Sequence, residues 1–293
     1  MRQQIQNKTY DMERALYNIK NTDIINCNFE GKNDGESVLK ECRNFKTDNC
    51  NFSLRYPIWH AKKFLLLNSK MDEKARAPLW YSKEGKIKNC QIKGTKCLRE
   101  CKNIDVENCT IISDEFGLRC SNLEIKNSKI EAKYFLFESK NVKIDNLNMK
   151  GKYSFQYMKN LYIKNSNLDT KDAFWHSNNV TVENSIVKGE YLGWFSKNLT
   201  LINCKIEGTQ PLCYCKNLKL INCTMEKTDL AFEYSDVEAD IKGHVDSIKN
   251  PKSGIITLDS VGEIINEDAV IKCKGIVKIR KNQNTVSIKN FSS

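Results

Sequence analysis

The sequence is organised by a repeat of ~19 residues that runs through most of the chain, a length in the range of solenoid units. Each repeat has the pattern apolar-x-apolar-x-Asn, followed by a small residue and then an apolar one. The spacing is constant from Asn89 to Asn222, and short insertions lengthen the steps from Asn26 to Asn49 and from Asn68 to Asn89. Such a repeat predicts a solenoid, because each unit buries its apolar face only by stacking on its neighbours. The ladder asparagines are Asn26, Asn49, Asn68, Asn89, Asn108, Asn127, Asn146, Asn165, Asn184, Asn203 and Asn222.

The apolar positions within each repeat alternate, as Ile104 with Val106 and Leu123 with Ile125 show. A period of two predicts β-strands, and these aliphatic residues are typical of strands. A unit of this length that holds two or three strands has no room for a helix, which argues against leucine-rich and ankyrin arrays. We therefore predict an all-β, single-domain parallel β-helix with 11 regular coils, one for each ladder asparagine.

The regularity of the repeat divides this domain into three stretches. Residues 1–20 precede the first repeat and are predicted to form an N-terminal cap, because the edge of a solenoid needs cover. Residues 21–236 carry the regular coils. Residues 237–293 include the strand-like GIITLDSVGEII and are predicted to form irregular C-terminal coils and a second cap.

The 13 cysteines raise the question of compartment. The start of the chain, MRQQIQNKTYDMERAL, has no apolar signal-peptide core, so we expect a cytoplasmic protein with reduced thiols. Ten of the cysteines fall at two small inward positions of the repeat, where Cys packs as a small hydrophobe. No CxxC pair or Gly-rich phosphate loop is present, so neither a metal nor a cofactor is predicted. No stretch approaches 18 consecutive apolar residues, so no membrane span is predicted.

The net charge of +11 comes partly from a row of basic residues that precede one corner of each coil. A solvated edge that keeps the protein soluble explains this row, and a rail for a polyanion is the alternative. Nucleic acid is disfavoured as the polyanion because no recognised binding motif is present. The basic row consists of Lys20, Arg43, Lys62, Lys102, Lys140, Lys159, Lys197 and Lys216.

Two neighbouring positions of the repeat do not suit uniform packing. All four tryptophans lie in one of them, the tryptophan column, which reads Lys40, Trp59, Trp80, Arg99, Leu118, Phe137, Gln156, Trp175, Trp194, Cys213 and Phe232. The next position, the outer column, reads Glu41, His60, Tyr81, Glu100, Arg119, Glu138, Tyr157, His176, Phe195, Tyr214 and Glu233. Since Glu and Arg are rarely buried unpaired, the outer column should face solvent. Strict alternation would then turn the tryptophans inward, whereas a bulge would expose both columns.

The catalytic candidates on this face are Glu100, Glu138 and His176. The two glutamates lie two coils apart, ~9.6 Å at the backbone, which is compatible with the carboxyl separation of an inverting glycosidase, ~6.5–9.5 Å. A surface ion ladder through the intervening Arg119 is the alternative. His60 and His176 are six coils apart and cannot share one site.

The residues predicted to contact a ligand lie on the same face. Among them Arg55 and Arg76 occupy one position on successive coils, where two guanidinium groups suit one anionic group. The predicted ligand-binding residues are Arg55, Trp59, His60, Arg76, Trp80, Tyr81, Arg119, Tyr157, Asp172, Trp175 and Trp194.

Short segments around these columns connect the chain to known sequences. They are RYPIWH (55–60), APLWYS (77–82), LREC (98–101), YSFQY (153–157), DAFWHS (172–177) and GEYLGWFS (189–196). In these segments the chain resembles an uncharacterised bacterial family of right-handed β-helix proteins, a domain of unknown function. The resemblance covers nearly the whole chain and implies the fold and its right-handedness, but it implies no activity and no catalytic residues.

The leading hypothesis for function is binding of an elongated ligand such as an oligosaccharide along the aromatic and charged face. Processing of that ligand, by a hydrolase or lyase reaction, stays open. The alternative is a non-enzymatic scaffold that binds a protein partner through the same face, because exposed Trp, Tyr and Arg are frequent hot-spot residues. Polyanion binding along the basic row is a third hypothesis. The sequence does not indicate an oligomeric state.

Overall fold

The computed structural model describes residues 2–280 and 287–289, and it divides into two compact units, Met1–Lys150 and Gly151–Ser293. Each unit is a stack of parallel strands, apart from Ile276–Ile279 and Ser287–Lys289 of the second unit, which pair antiparallel. The chain forms a right-handed parallel β-solenoid of about 15 turns with roughly 19 residues per coil, which confirms the predicted fold. In the described part of the chain, no helix is long and apolar enough to cross a membrane.

Most coils of the first unit contain one longer strand, one shorter strand and a third segment without regular strand structure. The strands that begin in this unit are β1 (Gln3–Gln6), β2 (Thr9–Tyr10), β3 (Lys20–Ile25), β4 (Asn28–Phe29), β5 (Arg43–Asp48), β6 (Asn51–Phe52), β7 (Lys62–Leu67), β8 (Lys70–Met71), β9 (Lys83–Lys88), β10 (Gln91–Ile92), β11 (Cys97–Arg99), β12 (Lys102–Glu107), β13 (Thr110–Ile112), β14 (Glu115–Leu118), β15 (Ser121–Ala132), β16 (Tyr134–Phe135) and β17 (Lys140–Lys152). Strands β11, β14 and β16 lie in the third segment of their coils, where they pair with one another.

The pairing register of the first unit follows the repeat. Ile104 of β12 pairs with Leu123 of β15, and Val106 pairs with Ile125, each exactly one repeat further along the chain. These four side chains are buried, as alternation of inward and outward residues requires. The interior of each unit is therefore an apolar stack that continues from coil to coil.

Residues 1–20, predicted to cap the N-terminal end, contain a further coil. Strand β1 pairs with β3, and β2 pairs with β4, in the same parallel manner as later coils. Asn7 lies one repeat before Asn26 and has a φ of 53°, close to the 52° of that first ladder asparagine. The sequence pattern is weak here because Lys8 replaces the small residue that normally follows the asparagine.

The ladder asparagines turn the chain at a corner of each coil. All of them adopt positive φ, for example 52° at Asn26 and 56° at Asn89. Asparagine tolerates this left-handed conformation better than most residues. Side-chain amides also link successive coils, with Asn49 Nδ2 donating to Asn26 Oδ1 at 2.9 Å and Asn222 Nδ2 donating to Asn203 Oδ1 at 2.7 Å.

The second unit continues the same coil plan and becomes less regular towards its end. Its strands are β18 (Lys159–Lys164), β19 (Asn167–Lys171), β20 (Asn178–Glu183), β21 (Ile186–Lys188), β22 (Lys197–Ile202), β23 (Lys205–Glu207), β24 (Leu218–Glu226), β25 (Asp236–Lys242), β26 (His244–Lys249), β27 (Ser253–Leu258), β28 (Ser260–Ile265), β29 (Ile276–Ile279) and β30 (Ser287–Lys289). The register shifts between Leu220 and Cys223, where β24 pairs with β25. The predicted C-terminal cap falls partly on residues 281–286 and 290–293, which lie outside the described residues.

The cysteines serve the packing of the coils. All 13 are free, and 12 of them are buried. Burial raises the pKa of the Cys42 thiol to about 12 and that of Cys50 to about 11. Thiols held in this way are poor nucleophiles, because the reactive thiolate is scarce near neutral pH.

Candidate recognition face

The segment that carries the tryptophan and outer columns has an unusual backbone. Alternate residues are left-handed, with φ of 59° at Tyr56, 59° at Ile58 and 53° at His60. This conformation is uncommon for residues other than glycine. Hydrogen bonds to the neighbouring coils hold it here, from Ile58 N–H to the Val38 carbonyl and from His60 N–H to the Trp80 carbonyl, both at 2.9 Å. The segment thus keeps inter-coil pairing without strand geometry.

This backbone determines which side chains reach the surface. Trp59 is half-buried and its neighbour His60 is exposed, and Trp175 and His176 repeat the arrangement in the second unit. Both columns therefore line the surface at these levels. The cause is the alternation of left-handed residues along the segment, and not an inserted bulge residue.

In the first unit, the tryptophans form a closed stack. The rings of Trp59 and Trp80 lie 5.1 Å apart and 6° from parallel. Lys40 Nζ lies 5.9 Å from the Trp59 ring centroid, and the Arg99 guanidinium lies 4.8 Å from that of Trp80. The Trp59 and Trp80 indole N–H groups donate to backbone carbonyls of the next coil at 2.6 Å. A ligand would meet the edges of these rings, because their faces and donors are already engaged.

The predicted carboxylate pair of the first unit is asymmetric. Arg119 Nε donates to Glu138 Oε2 at 2.6 Å, and this hydrogen bond raises the pKa of Arg119. Glu100 makes a looser ion pair, 3.9 Å from Arg99 Nε. The three side chains lie on successive coils, because Glu100 N–H bonds to the Leu118 carbonyl and Arg119 N–H to the Phe137 carbonyl. They form one tight ion pair beside a loosely held carboxylate, and not two carboxylates held alike.

The two arginines predicted to share an anion lie on successive coils but have different partners. The Arg55 guanidinium lies 3.4 Å from Asp34 and 3.5 Å from Glu36, both in the first insertion of the repeat. Arg76 is exposed and makes no ion pair within the part of the chain that the structure describes. The acidic residues of the insertion therefore balance the charge of Arg55. Of the two arginines, only Arg76 keeps an unpaired charge within the described residues.

In the second unit, the outer column becomes a continuous ladder of aromatic rings. Centroid distances are 5.0 Å from Tyr157 to His176, 5.0 Å from His176 to Phe195, and 4.8 Å from Phe195 to Tyr214. Tyr234 extends the ladder, 5.7 Å from Tyr214. We call these five residues the ring ladder. Its first four rings stack from coil to coil, the ring of Tyr234 is tilted by 51° to that of Tyr214, and Tyr157 and Phe195 are exposed.

Only part of the ring ladder is among the site residues that the sequence predicts. Phe195 and Tyr214 stood in the predicted outer column but not among the predicted ligand-binding residues. The predictions for Phe232, in the tryptophan column, and for Glu233, in the outer column, are each wrong by one residue, and Tyr234 takes the outer position. Tyr214 N–H bonds to the Glu233 carbonyl, so Glu233 belongs to the tryptophan column and Phe232 to the core. The coil has one extra residue that the spacing of asparagines does not reveal.

Beside the ring ladder lie the second tryptophan pair and a buried carboxyl. Trp175 and Trp194 stack at 5.4 Å, and their indole N–H groups donate to the Tyr191 and Gln210 carbonyls. Asp172 is only 6% exposed. Burial raises the pKa of its carboxyl, and the charges of Lys171 and Lys152 offset part of that effect. A carboxyl that retains its proton more readily is suited to act as an acid.

The basic row runs next to the outer column in both units. The structure adds Lys83 to it, because Lys83 pairs with Lys102 in the parallel register. Some members have partners, such as Arg43 with Glu41 at 3.1 Å and Lys62 with Glu84 at 3.2 Å. Within the described residues, Lys83, Lys102, Lys197 and Lys216 are exposed and make no ion pair.

The sequence of the chain matches a known protein family. The model of a family described as protein of unknown function (DUF3737) matches residues 3–279. The chain belongs to this family. No curated protein matches the chain. The family resemblance stated from the sequence is thus confirmed, and it assigns no activity.

Solved structures similar to this chain share its fold at low sequence identity. Alginate lyase AlyF-OU02, in complex with G6, is 9% identical with a TM-score of 0.59, over 99% of this chain and 85% of that one. The surface adhesin PfbA of Streptococcus pneumoniae is 11% identical with a TM-score of 0.40, over 97% and 78%. The mannuronan C-5 epimerase AlgE4 A-module of Azotobacter vinelandii is 9% identical with a TM-score of 0.32, over 92% and 91%. At these identities, the first comparison shows the β-helix fold alone.

Proposed function

We propose that the protein binds an elongated oligosaccharide along the ring ladder of the second unit. The observation that carries this proposal is the row of five aromatic rings, one per coil, of which four stack on one another and the fifth, Tyr234, is tilted against Tyr214. Stacked strands repeat every ~4.8 Å, so the row offers equivalent contacts at a short, constant interval. A chain of sugar rings is a ligand with a repeat of comparable length.

The ladder would bind such a ligand through its ring edges and polar tips. Tyr157, Tyr214 and Tyr234 carry hydroxyl groups, and His176 carries a ring N–H, all of which can hydrogen-bond to sugar hydroxyls. Asp172, four residues before His176 in the same segment, is the candidate for proton transfer to a bound ligand, because burial raises the pKa of its carboxyl. The alginate lyase that shares the fold supports a test with carbohydrates.

A thermal-shift screen tests the proposal with the whole chain. Oligosaccharides from tetramers to octamers are added to the wild type, to His176→Ala and Phe195→Ala, and to the control Tyr162→Ala. Tyr162 is an exposed aromatic residue on β18, outside the ring ladder. A ligand at ~100 times its Kd adds ~2.7 kcal/mol of stability, which shifts the melting temperature by several degrees.

We expect at least one oligosaccharide to stabilise the wild type and the Tyr162→Ala control, and to lose most of its effect on the two ladder variants. Absence of any shift, with all four proteins folded by circular dichroism, would overturn the proposal. A shift that the ladder variants retain would place the sugar elsewhere on the chain. If new reducing ends or unsaturated ends appeared over hours, the protein would cleave the oligosaccharide as well as bind it.

A protein partner is the second candidate ligand of the same face. The observation that favours it is the exposure of large apolar area, 46% of Tyr157 and 40% of Phe195. Exposed aromatic residues of this kind are enriched at interface hot spots. Affinity capture with the wild type, Phe195→Ala and Tyr162→Ala distinguishes the candidates, because an interface partner disappears only with Phe195→Ala.

A further inference from the structure

The ring ladder presents a particular part of each aromatic ring. Stacking at about 5 Å closes both ring faces of His176 and Phe195 against their neighbours. Trp194 makes T-shaped contacts with Phe195 and Tyr214, and the remaining edges reach solvent, with Tyr157 46% and Phe195 40% exposed. An aromatic ring carries negative charge density on its faces and positive charge at its edge, so a row of edges attracts negative groups.

Unpaired lysines stand beside this row of edges. Lys197 and Lys216 lie two positions beyond Phe195 and Tyr214, with only the buried Ser196 and Cys215 between them. The two lysines are direct neighbours across a parallel bridge. Like charges opposed in this way destabilise a sheet, so pairing of the coils does not explain them.

Other lysines of the same unit are paired with an acidic residue on the next coil, as expected for charges that stabilise the fold. Three positions beyond Lys216, Lys219 pairs with Glu238 on the next coil, at 3.6 Å between Nζ and Oε2. In the row of Lys197 and Lys216, the next coil carries Asp236, whose carboxylate accepts hydrogen bonds from Asn217 N–H and the Ser253 hydroxyl. No acid therefore pairs with either lysine in the described residues.

We propose that the oligosaccharide bound by the ring ladder is anionic, carrying carboxylate or sulfate groups along its length. This inference rests on the proposed function and specifies its ligand class. The ring edges and the ammonium groups of Lys197 and Lys216 attract the same sign of charge, and they follow the same succession of coils. A ligand with one negative group per sugar, or per second sugar, matches both rows at once.

Single-stranded nucleic acid is another polyanion that could bind to the lysines, but the geometry of the ring ladder argues against it as the ligand. Proteins bind its bases chiefly by stacking them on open aromatic faces. In the ring ladder, both faces of His176 and Phe195 are closed by the neighbouring rings. An acidic sugar chain needs only hydrogen bonds and charge contacts, which ring edges and lysines supply.

Calorimetric titration of the whole chain tests the inference. The probes are a linear hexamer of uronic acids, a neutral glucose hexamer of similar length and a twelve-nucleotide oligothymidylate, each at low and at raised NaCl. The variant Lys197→Gln/Lys216→Gln removes the unpaired charges. Its control is Lys219→Gln, which removes one paired lysine from the same unit.

We expect the uronate to bind more tightly than the neutral hexamer and to weaken as NaCl rises. The double variant should bind it roughly threefold to tenfold more weakly, since it loses two exposed charge contacts, while Lys219→Gln should match the wild type. If the neutral hexamer bound as tightly as the uronate and independently of NaCl, the inference of an anionic ligand would be overturned. The proposed function would still hold. Preferential binding of the oligothymidylate would also overturn it. Failure of both sugars to bind, with all variants folded, would count against the proposed function itself.

Discussion

The faces of the two units use one backbone design with different side chains. In the first unit, Lys40 and Arg99 cover the Trp59–Trp80 stack, and the outer column continues into the Arg119–Glu138 ion pair. In the second unit, the outer column is a ladder of rings. The left-handed alternation and inter-coil hydrogen bonds are present in both. The fold therefore does not require either choice, and the difference points to different surface roles.

Removal of equivalent core side chains should destabilise both units to a similar extent. Ile125→Ala and Ile163→Ala change the same repeat position, two places before the ladder asparagine, and both side chains are 0% exposed. Each truncation should cost ~2–5 kcal/mol, because it removes apolar contacts and leaves a cavity. Urea unfolding measures the loss. A much smaller effect in one unit would show that the cores, and not only the faces, differ.

Replacement of equivalent tryptophans should show how much the cation over the rings stabilises the first unit. Trp80→Leu and Trp194→Leu each remove a stacked ring and an indole hydrogen bond to the next coil. Each should cost roughly 2 kcal/mol, and Trp80→Leu ~0.5–1 kcal/mol more because Arg99 loses its ring. The comparison is again made by urea unfolding. Equal losses would contradict a stabilising role for Arg99 over Trp80.

The buried carboxyl of Asp172 in the second unit should make the melting temperature depend on pH. Burial raises the folded-state pKa of Asp172 above its unfolded value, so its contribution to folding is most favourable below pH ~4 and is lost as pH rises through the raised pKa. Asp172→Asn has no charge to bury. It should therefore melt higher than the wild type at pH 7 and equally at pH ~3.5.

The control for this prediction is Asp169→Asn on β19, an exposed carboxylate of the same unit. It should show no such dependence, because an exposed group has no burial to relieve. A lower melting temperature of Asp172→Asn at pH 7 would show that the charged carboxylate is stabilising, contrary to the raised pKa.

Loss of the surface ion pair in the first unit should have the smallest effect. Arg119→Ala removes the partner of Glu138, but both side chains are about half exposed. Water and salt screen such a pair, so thermal melting should change little and the difference should vanish at high NaCl. Glu138→Gln is the matched change. A large, salt-independent loss from either variant would show that the pair supports the coil.

The repeat allowed much of the site to be predicted, and its failures have local causes. Spacing places Trp59 and Trp175 in one column and His60 and His176 in the next, but it leaves open whether the tryptophans face inward or outward. Phe232 and Glu233 are misplaced because the coil contains one extra residue, and a one-residue slip moves a side chain to a different position of the coil. The engagement of the indole N–H groups had no sequence signal, since their acceptors are backbone carbonyls.

The coil itself was determined by the sequence. Alternating apolar residues and a corner asparagine act over a few neighbouring residues, so the pattern of one repeat specifies one turn of the solenoid. The exposure of both columns and the closure of the ring faces were decided only in the tertiary structure. Hydrogen bonds such as that from His60 N–H to the Trp80 carbonyl hold the left-handed residues in place, and they join groups that lie a full coil apart in the chain. Only stacking of complete coils brings those groups together.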